Sequence, residues 1–326
     1  MTIDVLLAGF GGLGHQDHQT TMYAPAFAAH PGFRVVGVAS TEGDEQRAQD
    51  AARRLDVPCH DLDTALSTVE APVVAVAAPA AVRAQVLTTV LRAGRHVLAD
   101  KPLAPTLTQA RQVAEAARQA GTSVVVAHHH RLHPMIAAGA GALRSGKVGL
   151  PWNVQADFVV AGGTPCPGQE LLNFGGYPVD VVAALTGLPV HRVYAAPAGD
   201  LTLLAMDHAQ GLTSTIVVGR ATGLAGVNAG GLAQHRYRVS GSHGVLVLDA
   251  TKPAVTVTTA NSRSSQWLSI DTVTPLLNTL HTAVTTGRPT TAGLDEAVRT
   301  AAVLDAAQRS LDEGVAISVA PNGEHR

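Results

Sequence analysis

The sequence predicts an α/β protein: a doubly wound parallel sheet, followed by an α+β domain with a large, mostly antiparallel sheet. Over the first 127 residues, short apolar runs alternate with alanine-rich stretches of helical spacing. This pattern is typical of a parallel sheet with helices on both faces. From about residue 150 onward, strand-like runs follow one another with little helix between them, which is typical of antiparallel strands. The length of 326 residues also suits about two domains.

The first predicted domain comprises residues 1–127. Continuous apolar runs suit strands that are covered on both faces, and five occur here: Ile3–Ala8, Arg34–Ala39, Val73–Ala77, His96–Ala99 and Ser123–Ala127. The spacing of apolar residues predicts three helices between them: Asp44–Leu55, Ala81–Ala93 and Leu107–Ala120. Thr106 and Gln109 have the spacing of a capping box, so the third helix should begin directly after Thr106.

The second predicted domain comprises residues 128–326. Its strand-like runs are separated by glycine, asparagine, aspartate or serine: Trp152–Val160, Val190–Ala195, Leu201–Met206, Thr213–Val218, His235–Val239, Val245–Leu248 and Val255–Thr258. Two helical stretches, Val273–Thr286 and Leu294–Glu313, close the chain.

The composition argues against several classes of protein. The chain has 23 Lys and Arg residues against 25 Asp and Glu, a net charge of −2, whereas nucleic-acid binding needs a basic surface. The most apolar stretch, Ala71–Val82, is too short to span a bilayer. No basic leader precedes the first strand, and Cys59 and Cys166 show neither metal-ligand nor disulfide spacing. We therefore expect a cytoplasmic protein with a small-molecule substrate and no nucleic-acid or membrane partner.

A glycine-rich loop follows the first predicted strand. Gly9, Gly11 and Gly14 form a G-x-G-x-x-G pattern between that strand and a helical stretch, which predicts a Rossmann dinucleotide-binding loop. The first glycine would allow a tight turn, the second the approach of a pyrophosphate, and the third close packing of helix on strand. The expected cofactor contacts in this loop are Gly9, Phe10, Gly11, Gly12, Leu13 and Gly14.

The end of the second strand bears on the choice between NAD and NADP, because an acidic side chain there usually binds the ribose diol. Here the strand ends in Ser40 and Thr41, and Glu42 comes only afterwards. Two hydroxyls in place of a carboxylate remove a repulsion against a 2′-phosphate, so NADP(H) is favoured. NAD(H) stays possible, with Glu42 in the role of the acid. Arg47 is either a phosphate ligand or part of a solvated helix face.

The segment from Gly14 to Tyr23 is unusually long for its place and contains His15, Asp17 and His18. Two interpretations are open. We favour a polar extension at the surface. The alternative is a lip that contacts cofactor or substrate through His18 or Tyr23.

Asp100, Lys101 and Pro102 follow the fourth apolar run. The carboxyl ends of parallel strands face the crevice where ligands bind, and the proline disfavours a helical conformation at Lys101. Desolvation beside a cation lowers the pKa of an ammonium group, which suits a lysine at this place for proton transfer. Lys101 is therefore a candidate catalytic residue, and an ordinary surface lysine is the alternative.

Four stretches resemble signatures of the Gfo/Idh/MocA oxidoreductase family. HVLADKPLA (96–104) resembles its Glu-Lys-Pro strand end, and VAAPAAV (76–82) its turn around an Ala-Pro or Thr-Pro pair. HHHRLHP (128–134) resembles its Asn-x-Arg-x-x-Pro segment, and NFGGYPVDVVAALTG (173–187) its D-x-G-x-H-x-x-D helix. The resemblance implies a Rossmann domain, and a sheet domain for substrate binding and for contacts in a homodimer or homotetramer. It also implies hydride transfer between nicotinamide and the hydroxyl or ketone of a sugar or cyclitol.

The resemblance also implies roles for single residues. Lys101 would hold the reacting oxygen, and Ala78, Pro79, Asp100 and Lys101 would contact the cofactor. The fourth motif departs from the family, because Asn173 replaces an aspartate and Tyr177 a histidine. A Tyr-Pro pair here resembles the branch with glucose–fructose oxidoreductase, dihydrodiol dehydrogenase and sugar ketoreductases. The Tyr177 phenol is suited to donate a proton to a developing alkoxide, and Asn173 and Asp180 would bind substrate.

The spacing of Asn173, Tyr177 and Asp180 puts them on one helix face, unless the helix begins only at Pro178. A buried core tyrosine is the alternative for Tyr177. Four histidines stand between His128 and His133, without carboxylates at ligand spacing, so we expect no metal. Instead we expect one or two of these histidines to contact substrate or cofactor and the rest to pack through hydrogen bonds. The candidate substrate-binding residues are His129, His130 and Arg131. His129 replaces the family's asparagine, and Arg83 stands where the family has a histidine.

Three functions compete at this stage. An NAD(P)-dependent dehydrogenase or reductase acting on CH–OH or C=O is favoured, with Lys101 and Tyr177 handling the proton. The first alternative reduces a C=N bond or uses the cofactor without net redox change, because Asn173 cannot act as a base. The second alternative is a regulator that binds the dinucleotide without turnover.

Overall fold

The computed structural model describes residues 2–13, 17–165, 170–223, 232–251, 254–258, 263–267, 271–290 and 292–319. Gly14, His15 and Cys166 lie outside the described residues. The chain divides into two compact units. The first is Met1–His129 with Val273–Ala301, and the second is His130–Thr272 with Ala302–Arg326.

The first unit is built on six parallel strands: β1 (Ile3–Ala8), β2 (Phe33–Ser40), β3 (Cys59–Asp61), β4 (Val73–Val76), β5 (His96–Ala99) and β6 (Val124–Val126). Their order in the sheet is β3-β2-β1-β4-β5-β6. The predicted doubly wound sheet and its five apolar strands are confirmed. The sequence analysis missed β3 because it has three residues, Cys-His-Asp, at the sheet edge and no apolar run.

Helices connect these strands: α1 (Ala24–Ala29), α2 (Glu45–Leu55), α3 (Leu62–Thr68), α4 (Ala80–Arg92) and α5 (Leu107–Ala120). A π-helical turn, Gln19–Tyr23, directly precedes α1. The predicted start of α5 is confirmed, because the Thr106 hydroxyl oxygen accepts a hydrogen bond from the Gln109 N–H at 3.3 Å. The helix ends at Gly121, whose left-handed φ of 65° suits a glycine.

The second unit contains a seven-stranded sheet: β7 (Pro151–Ala161), β8 (Val190–Ala198), β9 (Leu201–His208), β10 (Thr213–Ala221), β11 (Leu232–Gly241), β12 (Gly244–Asp249) and β15 (Ile317–Ser318). Their order is β12-β11-β7-β10-β9-β8-β15, with a separate hairpin of β13 (Ala254–Thr258) and β14 (Arg263–Trp267). Only β7 and β10 pair in parallel within this sheet. The predicted mostly antiparallel sheet is confirmed.

Helices α6 (Pro134–Arg144), α7 (Glu170–Phe174) and α8 (Gly176–Thr186) belong to this unit. Alternate residues of β7, among them Val154, Ala156 and Phe158, share one apolar core with Val181 and Val182 of α8. The pattern of strands alone did not indicate α6, whose two glycines weaken its helical signal.

The last two helices are α9 (Thr274–Thr286) and α10 (Leu294–Glu313). The sequence analysis placed both helices in the second domain, 128–326. In the structure, the segment Val273–Ala301 belongs to the first unit. Val124 donates to the Thr290 carbonyl at 2.7 Å and Val126 to the Ala292 carbonyl at 3.0 Å. Leu294 is fully buried in the core of the first unit. The segment Val273–Ala301 therefore packs on the first unit through hydrogen bonds to the edge strand β6 and through burial of apolar side chains. Within the described part of the chain, no helix has the length and apolarity needed to cross a membrane.

Candidate active site

The glycine loop lies against the ends of β2 and β4. The Gly9 N–H donates to the Ala39 carbonyl and the Gly11 N–H to the Ala77 carbonyl, both at 3.0 Å. Gly9 has a φ of +81°, and a Cβ there would lie 2.3 Å from the Ala78 Cα. The predicted tight turn at Gly9 is therefore confirmed, because a side chain has neither the space nor the backbone conformation.

Gly11 is required for packing within the protein, a reason that the sequence analysis did not foresee. A Cβ on Gly11 would lie 2.8 Å from the Pro79 ring. The predicted cofactor residues Ala78 and Pro79 thus lie directly against the glycine loop. A turn so bare of side chains, at the carboxyl end of a parallel sheet, fits the pyrophosphate of a dinucleotide. Phe10 and Leu13, by contrast, have buried side chains, so only their backbone is suited to face a ligand.

Asp44 ties the glycine loop to the end of β2, and the sequence analysis missed this residue. Its buried carboxylate accepts hydrogen bonds from the N–H groups of Phe10 and Thr41, both at 2.8 Å, and from the Thr41 hydroxyl. Burial raises the pKa of Asp44, while the bonds from Thr41 and Phe10 oppose that rise. An aspartate directly before a helix usually caps it, but this side chain makes no capping bond.

The hydroxyls that were predicted to face the ribose have partners within the protein. Thr41 is buried and donates to Asp44, and Ser40 donates to the His60 carbonyl at 3.3 Å. Glu42 is exposed, and Arg47 donates to the Phe10 carbonyl at 3.2 Å. Beside Arg47 lies an open groove of about 500 Å³, which is lined by Asp17, Arg47, Asp50, Arg53 and Arg54.

Arg83 fixes the backbone around Lys101. Its guanidinium is fully buried and donates to the carbonyls of Lys101 and Pro102 at 2.7 and 2.8 Å. It also donates twice to the Ala78 carbonyl, at 3.0 and 2.8 Å. Arg83 therefore joins the turn after β4 to the lysine loop after β5. Lys101 itself is only 6% exposed, which rules out the ordinary surface lysine.

Asp100 is the centre of a buried polar cluster, His18–Tyr23–Arg83–Asp100. Its carboxylate accepts from the Tyr23 hydroxyl at 2.6 Å, and His18 Nδ1 and Arg83 Nη2 lie 3.0 and 3.3 Å from its two oxygens. Burial raises the pKa of this carboxyl, but the charges of His18 and Arg83 outweigh burial and hold it below its ordinary value. Among the described residues 17–23, the favoured interpretation as a surface extension is therefore wrong for His18 and Tyr23, which contact this buried carboxylate. Gln19 and Tyr23 are buried. The Gln19 Nε2 group donates to the Ala75 carbonyl at 2.9 Å, and the Tyr23 hydroxyl donates to Asp100.

His129 interacts electrostatically with His18 and Asp100 of this cluster. Burial, together with the positive charges of His18 and Lys101, lowers the pKa of His129 to about 3. A neutral imidazole at this position is able to accept or donate a hydrogen bond.

In the second unit, the fourth motif is split between two helices. Asn173 lies on α7, Gly175 precedes α8, and Tyr177 and Asp180 lie on α8. A Cβ on Gly175 would lie 2.6 Å from the Leu171 carbonyl oxygen and 2.8 Å from a Leu304 methyl group, which explains why a glycine stands where the two helices meet. Asn173, Tyr177 and Asp180 are all buried. Tyr177 thus lies in the first turn of a helix, before Pro178.

Histidine and aromatic rings surround Tyr177. Its ring centroid lies 4.3 Å from that of His130 and 5.1 Å from that of Phe158. His130 also lies 4.9 Å from His235, a residue that the sequence analysis missed. Burial and the nearby His133 lower the pKa of His235 to about 4. Arg131 Nε lies 3.0 Å from the Asp180 carboxylate, so the predicted substrate residues Arg131 and Asp180 form an ion pair.

The structure places the predicted residues in two groups, one in each unit. Lys101, Asp100, His129 and the glycine loop belong to the first unit, and Asn173, Tyr177, Asp180, His130 and Arg131 to the second. Among the described residues, no three histidine, cysteine or acidic side chains are grouped as metal ligands.

The fold and the glycine loop define a dinucleotide-binding α/β protein. Residues 3–128 match the family model of the Gfo/Idh/MocA oxidoreductases, described as an oxidoreductase family with an NAD-binding Rossmann fold. The resemblance seen in the sequence is therefore confirmed, and residues 3–128 match the NAD-binding domain of this family.

Two curated relatives share 26% and 28% of the aligned residues with this chain. D-apiose dehydrogenase of Paraburkholderia graminis is 26% identical over 200 residues, which are 57% of this chain and 53% of that protein. The dTDP-3,4-didehydro-2,6-dideoxy-α-D-glucose 3-reductase of Streptomyces violaceoruber is 28% identical over 239 residues, which are 69% of this chain and 68% of that one. The chain thus aligns with about half the length of the first of these relatives.

Solved structures share the fold over the whole chain. GenD2 from gentamicin A biosynthesis, in complex with NAD, superposes with a TM-score of 0.80 at 23% identity, covering 98% of this chain and 97% of that one. The scyllo-inositol dehydrogenase of Lactobacillus casei, with NAD(H) and scyllo-inositol, gives a TM-score of 0.78 at 16% identity and covers 98% and 99%. At these identities the likeness extends to the fold alone.

Proposed function

We propose that this protein is an NAD(P)-dependent oxidoreductase that transfers a hydride between nicotinamide and the hydroxyl or ketone of a sugar, cyclitol or related small molecule. The observation that carries the proposal is the buried Lys101 at the carboxyl end of a parallel strand, in a unit that also carries the glycine loop. The names of the relatives, a sugar dehydrogenase and a nucleotide-sugar reductase, support the substrate class.

In this proposal, the glycine loop, Ala78 and Pro79 hold the dinucleotide, and the cofactor supplies hydride chemistry. Lys101 holds the reacting oxygen and, together with Tyr177, handles its proton. Tyr177 donates a proton to the oxygen during reduction and accepts it during oxidation. Asn173, Asp180, His129, His130 and Arg131 orient the substrate through hydrogen bonds. Arg131 is suited to this because its ion pair with Asp180 limits the number of positions it can take.

For the cofactor we propose NADP(H), with NAD(H) as the alternative. Support comes from Arg47 and the arginine-lined groove beside the glycine loop, because guanidinium groups bind a 2′-phosphate well. Asp44 accepts three hydrogen bonds from the protein and is therefore not available to the ribose. Titration with NADPH and NADH, followed by nicotinamide fluorescence, tests this. Tighter binding of NADH would move the ribose contact to Glu42, and no binding of either would refute the oxidoreductase proposal.

The role of Lys101 is tested by Lys101→Ala. We expect NADPH to bind within about threefold of the wild-type affinity, while reduction of keto-sugars falls by 10²-fold or more, the effect typical of a lost acid–base group. A matched control is Lys147→Ala, which removes an exposed lysine of the second unit. A wild-type protein that binds NADPH and turns over no carbonyl compound would favour the dinucleotide-binding regulator.

A second candidate function is reduction of a C=N bond. The observation that favours it is Asn173, which is buried where the family has an aspartate and cannot act as a base. A panel of keto-sugars and imines with NADPH distinguishes the two. Turnover of imines alone would replace the first proposal.

We also propose that the protein forms a homodimer or homotetramer through the sheet of its second unit. Tyr194, Val245 and Val247 are exposed on strands of that sheet, and apolar side chains on an open sheet face favour association. Light scattering coupled to size-exclusion chromatography tests this, because a monomer at micromolar concentration would contradict it. The cytoplasmic location and the lack of nucleic-acid partners stay predictions.

A further inference from the structure

The polar cluster His18–Tyr23–Arg83–Asp100 takes its members from three separate parts of the first unit. His18 directly precedes the π-helical turn and Tyr23 is its last residue. Arg83 lies on α4, and Asp100 follows β5 directly before Lys101. The Tyr23, Arg83 and Asp100 side chains are at most 1% exposed, and that of His18 is 16% exposed. Three groups, on His18, Tyr23 and Arg83, therefore stabilise the negative charge of the Asp100 carboxylate.

A carboxylate beside an ammonium group stabilises the charged form of that group, typically by one to three pKa units. In this cluster the negative charge of Asp100 is also shared with a guanidinium, an imidazole and a phenol. The bond from the Tyr23 hydroxyl, at 2.6 Å, is in the range of strong hydrogen bonds to an ionised acceptor. The charges of Asp100 and of Lys101, the next residue, interact. A carboxylate whose negative charge is shared with other donors stabilises a neighbouring ammonium group less.

We propose that His18, Tyr23 and Arg83 are positioning residues that act on Lys101 through Asp100. His18 and Tyr23 bind the carboxylate, so that the Lys101 ammonium loses its proton more readily. Arg83 binds the carbonyls of Lys101 and Pro102 as well, and so holds the backbone from which the lysine extends. The inference rests on the proposed function, because it assigns these residues to the same proton-handling lysine.

Among the described residues, ionisable groups from several elements act on Asp100 or on its neighbour His129. They are His18 directly before the π-helical turn, Tyr23 at its end, Arg83 on α4, Lys101, and His128 next to His129. His18 is the most exposed member of the cluster. A π-helical turn is rare and frequently marks a functional site, which is consistent with this use of Gln19–Tyr23.

The chain offers a direct measurement that needs no substrate. It contains only three lysines, Lys101, Lys147 and Lys252, so protein labelled with 13C-lysine has three ε-carbon signals, and a Lys101→Arg variant assigns the one of interest. We expect His18→Ala and Tyr23→Phe each to raise the titration midpoint of the Lys101 signal by about one pH unit. His18→Asn should raise it less, because its amide nitrogen lies where the imidazole Nδ1 donates to Asp100. An unchanged Lys101 midpoint in His18→Ala and Tyr23→Phe overturns the proposal.

Arg83 is tested by Arg83→Lys, which keeps the charge and removes the planar fork. The matched control is Arg95→Lys, because Arg95 also donates to two backbone carbonyls of the first unit, those of Ala71 and Leu66. We expect Arg83→Lys to lower kcat by about tenfold or more at nearly unchanged NADPH affinity, and Arg95→Lys to leave both unchanged. Equal effects of the two substitutions, or a loss confined to NADPH affinity, would mean that Arg83 is merely structural.

The two proposals fail in different ways. If the wild type binds neither NADPH nor NADH, the proposed function fails, while the lysine titration still decides whether the cluster acts on Lys101. If the wild type binds cofactor and turns over substrate, but His18→Ala and Tyr23→Phe leave the titration midpoint of the Lys101 signal unchanged, only the positioning role fails.

Discussion

At the scale of single residues, buried carboxylates organise the proposed cofactor site. Asp44 and Asp100 are both nearly inaccessible to solvent, and each is surrounded by donors from distant parts of the chain. Asp44 accepts from the glycine loop and from Thr41, so it fixes two segments that the family resemblance assigns to the dinucleotide. Asp100, directly before Lys101, contacts His18, Tyr23 and Arg83 and so connects three separate segments. Burial of a charged group is unfavourable unless hydrogen bonds compensate for it, so these donors are as important as the carboxylates.

Asp44→Ala tests this at one residue. The substitution leaves the N–H groups of Phe10 and Thr41 without their acceptor, and an unsatisfied buried donor costs about 1–3 kcal/mol. We expect the free energy of unfolding in urea to fall by about 3 kcal/mol and NADPH affinity to fall with it. Asp61→Ala is the control, because Asp61 accepts the same kinds of bond from Thr64 at an exposed helix start. Equal losses for the two variants would show that the burial of Asp44 is unimportant.

At the scale of elements, the glycine loop depends on the turn after β4. Gly9 and Gly11 meet Ala78 and Pro79 so closely that a Cβ at either glycine would overlap with them. Two connections from different strands therefore share one small volume. This packing is independent of any ligand, and it explains the first two glycines of the motif before cofactor binding is considered.

Gly9→Ala and Gly94→Ala separate the steric effect from the backbone effect. Both glycines have a positive φ, 81° and 72°, but only Gly9 has atoms within reach of an added Cβ, and Gly94 has none within 4 Å. The backbone term alone costs about 1–2 kcal/mol. We expect Gly94→Ala to cost about that much, and Gly9→Ala to lower the free energy of unfolding by about 3 kcal/mol more or to prevent folding of the first unit. Thermal unfolding followed by circular dichroism measures both, and similar values would contradict the observed contact.

At the scale of the whole molecule, each unit contains a buried histidine that the fold keeps neutral. The pKa is lowered to about 3 for His129, by burial and the charges of His18 and Lys101, and to about 4 for His235, by burial and His133. In the unfolded chain a histidine titrates near 6.5. Between these values the unfolded state binds more protons than the folded state, so stability falls as the pH falls from about 6.5 towards 4.

The expected consequence is acid sensitivity in both units. Each histidine should contribute on the order of 1–2 kcal/mol of destabilisation between pH 7.5 and pH 5. His235→Gln should flatten the pH dependence, whereas His243→Gln, at an exposed turn, should leave it unchanged. Urea unfolding at the two pH values measures this. A pH dependence that is identical in the wild type and His235→Gln would show that His235 is protonated in the folded state or accessible to solvent.

Much of the fold follows from the sequence because its signals are local. Covered parallel strands need continuous apolar runs, helices need 3.6-residue spacing and caps, and a tight turn needs a glycine. Those requirements located five of the six strands of the first sheet, the glycine loop and the start of α5 at Thr106. The position of Lys101 after a predicted parallel strand made it a candidate, and the resemblance of residues 173–187 to a family motif added Tyr177. The three-residue β3 and the glycine-containing α6 were missed because their local signals are weak.

Only the tertiary structure decided how these pieces meet. His18 contacts a carboxylate 82 positions away, Tyr23 the same one at 77, and Asp44 an N–H group at 34, and no periodicity in the sequence records such pairings. The polar residues of the Gly14–Tyr23 segment suggested a position at the protein surface. Their hydrogen-bond partners, Asp100 directly after β5 and the Ala75 carbonyl on β4, are distant in the sequence. The sequence analysis also missed that Val273–Ala301 belongs to the first unit, because its partners on β6 are distant in the sequence. Local propensity depends on neighbours along the chain, whereas burial and hydrogen-bond satisfaction depend on neighbours in space, and only the folded chain supplies these.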